Sequence, residues 1–183
     1  MAKITGFQKK LRKSAGQLVE IRRHIKGTKS TCGFLVDFTP EIILFQSLDW
    51  DTFRLNGYSA VLDADIKDFR VFDRSTYWQH RAVKHYQLEP TPLPTVSIAS
   101  LSALLSTVAA RFPLVTIHRE RIDPNVCYIG QLAKLSRATF TLEDLNYHTE
   151  WTGPRRIRFN DVTRLDFGGG YESALAATAP KRK

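Results

Sequence analysis

The sequence predicts a mainly β protein with helices, arranged as two small five-stranded barrels in tandem, each preceded by a helix. Three observations predict this. The chain has 183 residues, 43% of them hydrophobic and 25% charged, a mixture that builds a packed core rather than a disordered chain. It also repeats itself at a separation of about 96 residues. Within each repeat, one helical stretch precedes a series of short segments separated by polar turns.

The repeat is read directly. Residues 33–49, GFLVDFTPEIILFQSLD, align without a gap on residues 130–146, GQLAKLSRATFTLEDLN. Gly33 meets Gly130, Leu35 meets Leu132, Phe38 meets Leu135, Ile43 meets Phe140 and Phe45 meets Leu142. Upstream, Leu18-Val19-Glu20-Ile21 matches Leu114-Val115-Thr116-Ile117. Downstream, Gly57 lies over Gly153, Val61 over Ile157 and Asp65-Ile66 over Asp161-Val162. Three blocks in one order at one spacing indicate a duplicated unit. The first unit covers residues 1–88. A Pro-rich connector, stiff and extended, covers 89–95. The second unit covers 96–183 and ends in the basic tail Lys181-Arg182-Lys183.

The elements follow in order. Phe7 to Ala15 is a short basic helix, and Val96 to Phe112 is a helix of small residues, capped by Ser97 or Ser100 and stopped by Pro113. Strands are expected at 18–21 and 114–117, then after Gly33 and Gly130 with period-two alternation, then at 42–48 and 139–145. Asn56-Gly57 and Thr152-Gly153 mark the turns before strands at 58–62 and 155–159, and fifth strands are expected at 66–72 and 162–167. A helix over Ser75–Leu88 uses Tyr77, Trp78, Val83 and Tyr86 as apolar anchors, with a shorter match at Tyr171–Ala177. Five short antiparallel strands hide their edges best by closing on themselves.

These residues resemble the Sm-like family, the SH3-like small barrels of RNA-binding ring proteins. Gly33, Leu35, Phe38, Ile42 and Leu44 trace that family's first motif, and Gly130, Leu132, Leu135, Thr139 and Thr141 trace it more loosely. Leu62-Asp63-Ala64-Asp65-Ile66 and Phe159-Asn160-Asp161-Val162 stand where its second motif belongs. The resemblance implies RNA binding and pairing of barrel edges with neighbours. The family's nucleotide-pocket residues are not matched. Ile43 and Phe140 replace the Asn of the first motif, and Asp63-Ala64 and Phe159-Asn160 replace the Arg-Gly of the second, so base-specific recognition is not carried over.

Charge supplies the binding candidates. Residues 1–30 hold nine lysines and arginines, Lys3 among them, against the single acid Glu20, within a net charge of +9 for the chain. Such a footprint suits nucleic acid. The predicted contacts are Lys9, Lys10, Arg12, Lys13, Arg22 and Arg23, with Arg155 and Arg156 in the second repeat. Trp50, Trp78 and Trp151 are predicted interface aromatics. The two cysteines, Cys32 and Cys127, exclude a disulfide scaffold, and the five histidines show no metal-ligand spacing. Gly168-Gly169-Gly170 lacks the residues of a phosphate loop and reads as a turn. No nucleophile or acid–base pair recurs with catalytic spacing. The expectation is therefore a cytoplasmic, non-enzymatic protein without cofactor, metal or membrane partner. Its expected function is nucleic-acid binding, with RNA as the ligand. The alternative is a protein-interaction or assembly module, engaging itself or another protein through barrel edges.

Overall fold

The computed structural model describes residues 6–92 and 95–181. Lys3 of the basic front end, Leu93 and Pro94 of the connector, and Arg182 and Lys183 of the tail lie outside the described residues. The first half runs α1 (Gly6–Lys13), β1 (Leu18–Arg23), β2 (Thr31–Phe38), β3 (Ile42–Asp49), β4 (Arg54–Leu62), a 3-10 turn (Asp63–Asp65), β5 (Ile66–Val71) and α2 (Trp78–His85). The second half runs α3 (Leu101–Ala109), β6 (Val115–His118), β7 (Cys127–Leu135), β8 (Thr139–Leu145), β9 (Trp151–Arg158), a 3-10 turn (Phe159–Asp161), β10 (Arg164–Phe167) and α4 (Gly170–Thr178). A helix does stand before each set of five strands. Both are shorter than expected, as is α2: Ser100 caps α3 by accepting from the Ala103 N–H at 3.2 Å, α1 ends at Lys13, and α2 begins only at Trp78.

The two closed barrels are not formed. All ten strands lie in one open antiparallel sheet, in the order β5-β1-β2-β3-β4-β10-β6-β7-β8-β9. Each half keeps the same internal order, but β4 does not turn back to close its own set. It pairs with β10 instead, Tyr58 opposite Phe167 and Val61 opposite Arg164.

The sequence of β3 and β4 explains the difference. Ile43, Phe45 and Val61 join Val19, Ile21, Leu35 and Phe69 under Leu11 of α1 in a first core. Their neighbours Ile42, Leu44, Tyr58 and Ala60 belong to a second core with Val115, Ile117, Phe140, Leu142, Ile157, Leu165 and Phe167, packed by Leu104, Leu105 and Val108 of α3. A lone barrel would leave one apolar face of β3 and β4 in water. Pairing β4 with β10 covers both faces, because each face then serves a different core. In the second half β8 is apolar on one face only. Phe140 and Leu142 are buried, while Thr139, Thr141 and Glu143 alternate with them, partly exposed.

Two smaller apolar clusters complete the molecule. Val83 of α2, with Tyr77 and Leu88, covers Leu18, Cys32, Phe34 and Phe72. Leu175 of α4 covers Leu114, Ile129 and Leu145. The connector is fixed to the sheet, where the Thr91 N–H donates to Gln46 Oε1 at 2.8 Å and the Tyr58 hydroxyl donates to the Thr91 carbonyl at 3.3 Å.

Local geometry recurs between the halves. A bulge falls between Leu35 and Asp37 in β2 and between Leu132 and Lys134 in β7, and such bulges bend a strand. The Thr39 N–H reaches the Ile42 carbonyl at 2.8 Å, and the Ser136 N–H reaches the Thr139 carbonyl at 2.9 Å. Gly57 shows where the halves differ. It has φ +68°, and a Cβ there would stand 2.5 Å from the Gly169 nitrogen. Its counterpart Gly153, with φ +99°, would meet nothing within 4 Å.

Candidate nucleic-acid interface

α1 is amphipathic because Phe7 and Leu11, four residues apart, share one face. That face sits on the first core, which leaves Lys9, Lys10, Arg12 and Lys13 on the solvent side, all exposed. The helix lies beside β5, the terminal strand of the sheet. Between them runs a groove of about 570 Å³ whose lining includes Lys10, Lys13, Arg70, Arg74, Asp68 and Asp73.

Four cations and two acids thus line one channel, and Arg70 Nη1 also lies 3.5 Å from Glu20 Oε2. The acids are partly spent. Asp68 is paired with Arg22, and that hydrogen bond, with the Phe69 N–H, holds its carboxyl below the usual carboxylate range. Asp73 lies 3.9 Å from Arg74 Nε. Lys10 is committed to the fold: its ammonium donates to the Phe69 carbonyl at 2.7 Å and sits 5.2 Å from the Phe69 ring centre.

The other predicted contacts separate. Arg22 is exposed but spends its charge on Asp68. Arg23 is buried and forms a bidentate pair with Glu120, Nη2 to Oε1 at 2.7 Å. It is therefore withdrawn from any phosphate. Arg155 and Arg156 stand on β9, at the opposite end of the strand order from β5. Arg155 is paired with Asp144, and its guanidinium lies 4.3 Å from the Tyr128 ring centre. Arg156 is exposed, in register with Thr141 and through it with Lys134.

The three tryptophans also divide. Trp151 is half-buried against α4, and its Nε1–H donates to the Pro180 carbonyl at 2.9 Å. Trp50 and Trp78 are exposed and lie 5.4 Å apart, ring centre to ring centre. Tyr86, expected to anchor α2 to the core, is instead exposed at 60% beside Phe53.

Sequence reasoning missed Arg70 and Arg74 in the groove. The signal for Arg70 was present in β5, Ile-Lys-Asp-Phe-Arg-Val, where charges flank the single buried residue Phe69. It becomes a binding feature only because α1 packs alongside.

A partly buried polar chain lies where β4, β10 and β6 meet. Ser59 Oγ donates to Asp166 Oδ1 at 2.6 Å, and His118 Nε2 lies 2.9 Å from Asp166 Oδ2. The carboxylate stands between serine and imidazole, so the imidazole is not placed to take the serine proton as a nucleophilic triad requires. Burial pushes the Asp166 carboxyl up, but hydrogen bonds from His118 and Ser59 and the Arg164 charge hold it below the usual range. Burial pushes the Cys32 and Cys127 thiols up, away from the reactive thiolate. Ile43 and Phe140 are buried core residues. Among the described residues no group of His, Cys, Asp and Glu could hold a metal, and no helix is long and apolar enough to cross a membrane. No protein-family model and no curated protein matches the chain.

Proposed function

We propose that this chain is a non-enzymatic RNA-binding protein that holds the phosphate backbone in the cationic groove between α1 and β5. The observation that carries the reading is the convergence of Lys10, Lys13, Arg70 and Arg74 on one channel, extended by exposed Lys9 and Arg12 on the same helix. The reading includes a duplicated Sm-like unit, supported by the common strand order of the two halves. It also includes a cytoplasmic setting, which suits two free thiols. Recognition is by charge, since buried Ile43 and Phe140 stand where the family's first motif holds its Asn.

The assembly alternative needs an available strand edge. At β5 the Phe69 N–H is taken by the Asp68 carboxylate at 2.9 Å and the Phe69 carbonyl by Lys10. At β9, Pro154 has no N–H to offer, and Arg155, Arg156 and Arg158 place like charges along the rim.

The test is a salt titration of a labelled, mixed-sequence single-stranded RNA against wild type and a Lys9→Gln, Arg12→Gln, Lys13→Gln variant. Lys10 is kept because it supports the fold. Each lost phosphate contact flattens the log–log salt dependence by about 0.7, so the triple variant is expected to bind more weakly with a slope shallower by about 2. Wild type that fails to bind even at low salt overturns the reading.

A further inference from the structure

Four aromatic rings from two separate elements meet at the surface next to this groove. Phe53, from the β3–β4 connection, is central. Its ring centre lies 5.8 Å from Trp50, 6.4 Å from Trp78 and 5.1 Å from Tyr86. Phe53 is itself half-buried against the Leu18–Phe34–Phe72 cluster and so ties the group to the core. The other three remain in water, Trp50 at 39%, Trp78 at 54% and Tyr86 at 60% exposure. A contiguous exposed aromatic patch marks an interaction surface.

The backbone supports this view. Phe53 holds φ +53°, a left-handed conformation that bulky residues rarely adopt. Such strain clusters where a ligand is gripped. Here it sets the one ring that the other three contact.

The groove and the platform are neighbours along the chain. Tyr77 lines the groove together with Arg74, and the next residue, Trp78, belongs to the platform. The rim of the groove at Tyr77 therefore lies one peptide unit, about 3.8 Å between Cα atoms, from the backbone that carries Trp78. We infer that the Trp50–Phe53–Trp78–Tyr86 platform stacks the unpaired bases of a single-stranded nucleic acid whose backbone occupies the α1–β5 groove. Resting on the function proposed above, this adds a substrate class: single strands are bound in preference to duplexes, because only unpaired bases expose their faces to stacking rings. The preference is independent of sequence, since every base has such a face.

The experiment uses the full chain carrying Trp151→Phe, which leaves Trp50 and Trp78 as the only indole emitters. A fluorescently labelled mixed-sequence single-stranded RNA, and the same RNA annealed to its complement, are titrated with this protein, with its Trp50→Ala, Trp78→Ala derivative, and with the Lys9→Gln, Arg12→Gln, Lys13→Gln groove-side variant, affinity being read from the anisotropy of the label and ring contact from indole emission. Thermal unfolding of each variant checks that the fold is kept, and Trp78→Phe is the conservative control. The expected result is quenching of indole emission by the single strand and a loss of about tenfold or more in its affinity on removal of the two rings. The salt slope should stay unchanged and Trp78→Phe should restore most of the binding. Single-strand affinity that is untouched by ring removal but lowered by the groove variant overturns the platform and leaves the RNA reading standing. Emission unmoved by RNA that shifts with a proline-rich peptide assigns the rings to a protein ligand and also overturns it. Absence of RNA binding by any of these proteins overturns the function proposed above.

Discussion

The guanidinium of Arg23 and the carboxylate of Glu120 form a buried bidentate pair although four strands, β2, β3, β4 and β10, separate β1 from β6 in the sheet. Five inter-strand steps span about 24 Å in a flat sheet at ~4.8 Å each. The contact therefore requires the sheet to curl until the ends of the two opening strands meet. Asp65 pairs with Arg121 in the same region, and the Thr163 hydroxyl donates to Glu120 Oε2 at 2.8 Å. The sheet is open at its edges yet clasped across its width.

Removal of one partner of this clasp should be severe. The side chains are 1% and 4% exposed, and an orphaned buried charge typically costs about 3–5 kcal/mol. Arg23→Met is expected to lower the unfolding free energy by that amount, read as a lower urea midpoint at an unchanged m-value. An Arg23→Met, Glu120→Leu double variant should lose less than the two single variants together.

Acid should loosen the same region. Burial pushes the Glu120 carboxyl up, but hydrogen bonds from Arg23 and Thr163 and the Arg23 and Arg164 charges hold it below its usual range. Asp166 is held low as well. A carboxyl depressed in the folded state contributes stability that is fully present above its unfolded pKa, about 4.3 for Glu and 3.9 for Asp, and lost as pH falls through the folded value. Melting temperature should accordingly fall below about pH 4. Asp166→Asn should flatten part of that fall, and an unchanged profile in this variant contradicts the assignment.

The two halves should respond differently to matched substitutions. Leu44 is fully buried between β4 and the second core, so Leu44→Ala should cost about 2–5 kcal/mol. Its counterpart Thr141 is partly exposed, and Thr141→Ala should stay within about 0.5 kcal/mol. Chemical denaturation of the two variants measures the difference.

Glycine substitutions probe the junction in the same way. Both Gly57 and Gly153 have positive φ, so alanine strains either one, but only at Gly57 does a Cβ collide with backbone. Gly57→Ala should destabilise markedly more than Gly153→Ala in thermal unfolding.

With both terminal strands blunted, the chain should run as a single copy of 20.9 kDa in light scattering after size exclusion. Lys10→Met frees the Phe69 carbonyl, so any association should appear first in that variant. A dimer or ring of the wild type shows that the edges are open after all.

Much of this was legible in the chain itself. The spacing of about 96 residues, the glycine pairs Gly33 and Gly130 and Gly57 and Gly153, and the period-two strands fixed the element order, because these signals are local. The basic character of α1 was equally local, a matter of which residues stand between Phe7 and Ala15. Whether five strands close or join their neighbours was decided only in three dimensions. Ile42-Ile43-Leu44-Phe45 reads as a buried strand in either arrangement, and only the presence of β10 beside β4 determines which apolar face goes to which core. The same holds for the charges. Arg22 and Arg23 are adjacent and identical in type, but strand alternation sends one to solvent and Asp68 and the other inward to Glu120. The sequence determined which residues carry charge and rings, and tertiary packing decided which of them remain free to bind.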